Sequence, residues 1–102
     1  MKAVRKKPGM PPEIVYVDNT LEALQKEVGG YIQAVHFASD CAIICNEEGK
    51  LIPLEPNLAF CGAVLFGTIL VVGVDGEEFC SLDQTAAETM LNCMGVRKTW
   101  RS

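Results

Sequence analysis

The stretch ILVVGVDGEEFC at residues 69–80 carries the strongest fold signal in the sequence. Its first four residues are large, apolar and mostly β-branched, which favours a buried strand. Asp75-Gly76 is typical of the two-residue turn of a β-hairpin. The residues after it, Glu78-Phe79-Cys80, are strand-like again. The stretch therefore predicts two antiparallel strands joined by a tight turn.

Further strand-like segments, separated by turn residues, occur along the chain. They include residues 13–17, 31–37, 41–45 and 50–54. Pro53, Pro56 and Asn57 are predicted to end the last of these, because proline cannot donate to a strand ladder. The sequence predicts six or seven short strands in total.

The first of two helix patterns begins after residue 18. Asn19 and Glu22 have the spacing of a capping box. Leu21, Leu24 and Val28 lie on one helical face, which is predicted to be apolar and buried. Gly29 is placed to end this helix in a left-handed conformation.

The second helix pattern runs to about residue 94. Ser81 and Gln84 have the spacing of another capping box. The predicted buried stripe consists of Ala87, Met90, Leu91 and Met94.

These elements predict an α+β fold. We expect a curved, mostly antiparallel sheet with both helices packed on one face. The 102-residue length allows one domain, assigned to residues 1–96, with residues 97–102 as a basic C-terminal tail.

Charge is distributed unevenly along the chain. Lys26 and Lys50 are the only basic residues between positions 8 and 96, whereas all thirteen acidic residues lie there. The acidic body repels phosphate backbones, so binding to long nucleic acid is disfavoured.

The five cysteines match no disulfide or zinc pattern, since their number is odd and no Cys-x-x-Cys pair occurs. At least four are predicted to be small buried residues. With no signal-peptide pattern, we expect a cytoplasmic protein with reduced thiols, no metal and no cofactor. Residues 59–74 are largely apolar but shorter than the roughly 20 residues of a membrane span.

Catalytic patterns are weak. His36 is the single histidine, and no neighbouring residue orients it as a base. The acidic residues are predicted to lie in solvated turns, where a general acid lacks the burial that raises its pKa. These carboxylates are Glu47, Glu48, Asp75, Glu77 and Glu78. The sequence therefore predicts no enzyme.

Four residues are the candidate ligand-binding set. Tyr31 offers a stacking ring, Asn57 an amide, and Arg5 and Lys50 positive charge for a small anionic or nucleotide ligand. Short strands leave unpaired edges, so we expect a homo-oligomer with the ligand in the seam between subunits.

Several segments, in this order, resemble the domain of unknown function family 3846 over roughly residues 2–94. They are VGGYI at 28–32, NEEGKL at 46–51, PN at 56–57, GTILVVG at 67–73 and SL at 81–82. The resemblance implies a small accessory protein of phages, prophages and mobile elements, mostly of Firmicutes, without established catalytic residues.

Two functions follow from that resemblance as hypotheses. The first is a non-enzymatic protein that binds and sequesters a small, nucleotide-derived immune signal of the host. The alternative is an acidic protein-interaction module that inhibits a host defence enzyme.

Overall fold

The computed structural model describes residues 1–49, 51, 54–60 and 63–96. Within these ranges the chain forms eight strands and two helices. In chain order they are β1 (Lys2–Lys6), β2 (Glu13–Tyr16), α1 (Leu21–Val28), β3 (Ile32–Ala38), β4 (Cys41–Asn46), β5 (Pro56–Phe60), β6 (Ala63–Phe66), β7 (Ile69–Asp75), β8 (Glu78–Cys80) and α2 (Gln84–Val96).

The main sheet has the strand order β2-β1-β7-β4-β3, and β8 pairs with the end of β7. Strands β5 and β6 form a separate hairpin. All the pairs are antiparallel. The predicted α+β class and the antiparallel character of the sheet are confirmed. The β7–β8 hairpin is confirmed too, but its two turn residues are Gly76 and Glu77, because Asp75 still pairs with Glu78. The turn therefore begins one residue later than predicted, and Gly76 adopts a φ of 66°.

Strand β7 lies at the centre of the sheet and explains where the two helices pack. Ile69 and Val71 pack on the side that carries α2, whereas Leu70 and Val72 pack on the side that carries α1. The prediction that both helices cover one face is therefore wrong. An unbroken apolar run in a strand requires cover on both faces, and the run at residues 69–72 shows that pattern.

The β5–β6 hairpin differs from the prediction. The sequence predicted that Pro56 would end a strand, but β5 begins there. Proline is tolerated as the first residue of an edge strand, because no ladder bond is lost. The strand predicted at residues 50–54 falls largely outside the described residues, and Leu51 lies in a turn.

Helix α1 is capped one residue later than predicted. The side chain of Thr20 accepts a hydrogen bond from the amide of Ala23 at 3.2 Å. Asn19 instead donates from Nδ2 to the carbonyl of Phe79 at 2.8 Å, which ties the helix start to β8. Gly29 ends the helix with φ at 80°, as predicted. Leu24 and Val28 of the predicted face are buried, but Leu21, in the first turn of the helix, is 58% exposed.

Helix α2 is also capped by a different residue from the one predicted. Asp83 accepts from the amide of Ala86 at 2.7 Å. Ser81 accepts instead from the amide of Lys2, which joins the approach to α2 with the first strand. The predicted stripe is confirmed, with Leu91 half-buried and the other three residues buried. Neither described helix is long and apolar enough to cross a membrane.

Candidate functional site

Arg5 links three elements of the fold. Its guanidinium contacts the carboxylates of Glu13 in β2 and Glu27 in α1, each at 3.1 Å. The hydrogen bond to Glu27 makes the largest contribution to raising the pKa of Arg5, and the bond to Glu13 raises it further. Two carboxylates already neutralise this guanidinium, so it is poorly suited to hold an anionic ligand.

Asn57 is only 1% exposed and bonds entirely within the protein. Its Nδ2 donates to the carbonyls of Lys6 and Gly67 at 2.7 and 2.8 Å. Its Oδ1 accepts from Nζ of Lys6 at 3.2 Å. The amide predicted to serve a ligand instead joins the β5–β6 hairpin to the end of β1.

Lys6 was not identified by the sequence analysis as a site residue, yet it is a buried lysine. Its side chain is 2% exposed, and Nζ donates to Asn57 and to the carbonyl of Lys7 at 3.1 Å. Among the described residues no carboxylate pairs with it. Burial lowers the pKa of Lys6, because the charged ammonium loses its hydration. We call Lys6 and Asn57 the buried amine–amide pair.

Tyr31 stands in a cleft at the end of α1. The ring is 67% exposed, and the cleft has a volume of about 520 Å³. We call it the Tyr31 cleft; it is lined by Glu22, Gln25, Lys26, Gly29, Gly30, Tyr31, Asn46 and Glu48. Such a volume is in the range of small-molecule and side-chain pockets.

Asn46 supports one wall of the Tyr31 cleft. Its Nδ2 donates to the carbonyl of Val28 at 3.2 Å, and its Oδ1 accepts from the amide of Glu48 at 2.7 Å. A Cβ atom on Gly30 would lie 2.8 Å from Nδ2 of Asn46, so a larger residue there would require the Asn46 side chain to shift. The Gly29-Gly30 pair therefore ends the helix and also admits the Asn46 side chain.

Charge in the Tyr31 cleft favours a cation. Glu22 and Glu48 supply two carboxylates, whereas Lys26 supplies one ammonium group. The carboxyl-terminal end of α1 also faces this region, and helix ends of this kind attract positive charge. An aromatic ring beside carboxylates can hold a guanidinium or ammonium group by cation–π and ionic contacts.

A family model described as a domain of unknown function, DUF3846, matches residues 1–94. The chain belongs to the DUF3846 family. The match covers the eight described strands and all but the end of α2. No curated protein and no solved structure matches this DUF3846 chain.

The four candidate ligand residues of this DUF3846 protein are not gathered into one site. Tyr31 precedes β3, and β7 and β4 lie between that strand and the strand of Arg5. Asn57 belongs to the buried amine–amide pair. Lys50 lies outside the described residues. Of the three candidates that the structure describes, Tyr31 is the one that lines a cleft and is largely exposed.

The cysteines of this DUF3846 protein differ from the prediction. Cys41 and Cys45 are buried, but Cys80 is partly exposed and Cys93 is exposed, so the expectation of at least four buried cysteines is wrong. Burial makes the largest contribution to raising the pKa of the Cys41 and Cys45 thiols. All four described cysteines are free, and Cys61 is outside the described residues.

Glu47, Glu48 and Glu77 lie in turns, as predicted, whereas Asp75 ends β7 and Glu78 begins β8. Residues 47, 48, 75, 77 and 78 are exposed around two turns. His36 is exposed on β3. Within the described part of the DUF3846 chain, no three histidine, cysteine or acidic side chains are grouped as metal ligands.

A second concavity, of about 400 Å³, runs beside β3 on the side of the sheet that carries α2. We call it the β3 groove; its apolar lining includes Val35, Leu51, Val64, Leu65 and Phe66. Leu51 at its rim is 81% exposed. The groove and the Tyr31 cleft share Asn46, whose strand separates them.

Proposed function

We propose that this DUF3846 protein is a non-enzymatic protein-interaction module that holds a basic group of its partner in the Tyr31 cleft. The observation that carries the proposal is the exposed Tyr31 ring in a cleft whose walls carry two carboxylates. Those carboxylates, on Glu22 and Glu48, are exposed, which suits ionic binding and not general acid catalysis.

The charge of the whole chain supports a basic partner. The net charge is −4, and every acidic residue lies between positions 8 and 96. An acidic body speeds encounter with a positively charged surface, and the cleft then supplies the local contact. An arginine side chain fits best, because its planar guanidinium stacks on an aromatic ring while it pairs with a carboxylate.

The class of partner follows from the accessory role that the family resemblance implies. Enzymes that act on nucleic acid carry basic surfaces for the phosphate backbone. A compact acidic protein competes with nucleic acid for such a surface. We therefore propose a host defence enzyme with a basic nucleic-acid surface as the partner that this chain inhibits.

A small nucleotide-derived immune signal is the second candidate ligand. The cleft volume of about 520 Å³ admits a nucleotide, and the exposed Tyr31 ring can stack on a base. Its phosphate groups, however, would have to avoid Glu22 and Glu48 and use Lys26. The local charge therefore favours the basic partner over this second candidate.

Native mass spectrometry of protein purified directly from cells separates the two candidates. A protein-interaction module shows only the mass of the chain or of its oligomers, with no bound small molecule. A sequestering protein retains a bound small molecule, and an additional mass of nucleotide size that survives purification would overturn the proposal in favour of the second candidate.

The cleft itself is tested with two matched tyrosine variants. Tyr31→Ala removes the ring in the cleft, whereas Tyr16→Ala removes a ring that is 73% exposed on β2. Calorimetry would use a nine-residue arginine peptide, a glutamate peptide of equal length and a panel of mono- and cyclic dinucleotides. We expect binding of the arginine peptide alone, weakened about tenfold by Tyr31→Ala and unchanged by Tyr16→Ala.

Equal effects of the two tyrosine variants would overturn the assignment of the cleft. Binding of nucleotides, but not of the arginine peptide, would select the second candidate. Amide chemical shifts recorded during the same titrations should change around α1 and the turn at residues 47–48.

A further inference from the structure

The two outer strands of the main sheet, β2 and β3, differ in how they are protected. β2 has four residues and follows Pro11 and Pro12, and its Glu13 pairs with Arg5. β3 has seven residues, and positions 31–38 contain no Asp, Glu, Lys, Arg or Pro. Charges and prolines usually prevent an edge strand from pairing with another chain. β3 lacks both along residues 32–36, and the irregularity in its pairing with β4 lies beyond His36.

The main-chain groups on the outer side of β3 can be identified from its pairing with β4. The amide of Glu47 donates to the carbonyl of Tyr31 at 2.9 Å, so Tyr31 faces β4. In antiparallel strands, hydrogen-bonded and non-hydrogen-bonded positions alternate. Ile32, Ala34 and His36 therefore direct their N–H and C=O groups outward, where no described strand pairs with them.

We propose that β3 pairs antiparallel with β3 of a second copy of this chain, around a twofold axis at Ala34. Ile32 of each copy then lies opposite His36 of the other, and the three outward positions exchange about six main-chain hydrogen bonds. The small Ala34 side chains meet at the axis and allow close approach. The two main sheets become one continuous sheet.

The absence of charge on β3 permits a second copy to approach at this edge. Two chains with a net charge of −4 repel each other over most approaches. The charge-free β3 strip lets them meet without opposing like charges along the paired strands. The twofold symmetry also places the faces that carry α2 on the same side of the joined sheet. Gln33 and Val35 of one copy therefore border the β3 groove of the other.

Charge variants at the axis test this geometry. Ala34→Lys places two lysines opposite each other, and Ala34→Glu places two glutamates there. Like charges directly opposite destabilise strand pairs, whereas opposite charges stabilise them. We expect light scattering to give twice the 11.1 kDa chain mass for the natural protein and the single-chain mass for each variant.

Mixing the two variants should restore a dimer that contains one chain of each, which native mass spectrometry identifies by mass. Tyr16→Lys, on the opposite edge, is the matched control and should remain dimeric. Ala34→Pro removes one outward N–H while the bonds to β4 remain, so it should also give monomers. Circular dichroism establishes that each variant is folded.

The proposal would be overturned if the natural protein were monomeric at about 100 μM, because this concentration is well above the dissociation constant of a specific dimer. A dimer that persists in both Ala34 charge variants would also overturn it, because its interface would lie elsewhere. Variants that dissociate without forming a mixed dimer would exclude the twofold axis at Ala34.

Discussion

The buried amine–amide pair and the Tyr31 cleft contain similar residue types but use them in opposite ways. Lys6 and Asn57 are 2% and 1% exposed, and their polar atoms bond to one another and to main-chain carbonyls. Tyr31 and the carboxylates around it face solvent. An amide, an amine and a ring in a sequence all suggest recognition, but only exposed groups can meet a partner.

The difference also separates stability from binding. A buried polar group that loses its partner destabilises the fold by the full cost of its desolvation. An exposed ring can be removed with little effect on stability, because it makes few contacts. Substitutions in the buried amine–amide pair should therefore lower stability, whereas substitution of Tyr31 should weaken binding and leave stability nearly unchanged. Three variants test this contrast.

Asn57→Ala should have the largest effect on stability. It leaves Nζ of Lys6 with one partner and removes the donor to the carbonyls of Lys6 and Gly67. We expect a loss of about 2–4 kcal/mol in the free energy of unfolding, measured by urea denaturation.

Asn19→Ala is the matched control for Asn57→Ala. It removes one exposed hydrogen bond to the carbonyl of Phe79 and should cost less than about 1 kcal/mol. If the two variants lost the same stability, the buried pair would have no special role.

Lys6→Met should change how stability depends on pH. In the unfolded chain Lys6 has the ordinary lysine pKa of 10.5. In the folded chain burial lowers the pKa of Lys6 below that value. Between these two pKa values the unfolded state binds more protons, so the free energy of unfolding rises with pH and levels off above about 10.5. Below the folded pKa, Lys6 is protonated in both states and the burial of its charge costs stability.

The Lys6→Met variant should lack that rise. Denaturant titrations between pH 7 and 10.5 would compare it with the natural protein and with Lys26→Met, which alters an exposed lysine. The difference between Lys6→Met and the natural protein should depend on pH, and the difference for Lys26→Met should not. Parallel curves for all three proteins would contradict a depressed pKa at Lys6.

Tyr31→Ala should have the smallest effect on stability. Surface substitutions usually change the free energy of unfolding by no more than about 0.5 kcal/mol. We expect Tyr31→Ala and Tyr16→Ala to remain within that range of the natural protein by urea denaturation. A loss above about 1.5 kcal/mol for Tyr31→Ala would show that this ring supports the fold, which would weaken its proposed role in recognition.

Local sequence signals predicted much of the fold. The β7–β8 hairpin, the end of α1 at Gly29 and the stripe of α2 depend on short-range preferences, and the structure confirms them. The capping residues differ from the prediction because the predicted ones have distant partners. Asn19 bonds to Phe79, and Ser81 bonds to Lys2. A local pattern cannot reveal a competing partner of that kind.

The candidate site was only partly predictable. Tyr31 was identified from its residue type beside two glycines. Asn46 was missed, although the adjoining Gly30 was a signal that a side chain approaches the backbone there. Lys6 gave no sequence signal, since a lysine near the end of a strand is normally exposed.

By itself, the sequence determined the α+β class, the antiparallel pairing of the β7–β8 hairpin and the acidic body. Those properties follow from turn chemistry, side-chain shape and charge, which act over a few residues or simply add along the chain. Only the tertiary structure decided that the helices cover opposite faces, that Lys6 and Asn57 are buried together, and that Tyr31 faces solvent. Burial is a property of the assembled layers, because whether a side chain is covered depends on residues far away in sequence, such as Lys6 and Asn57, which are 51 positions apart.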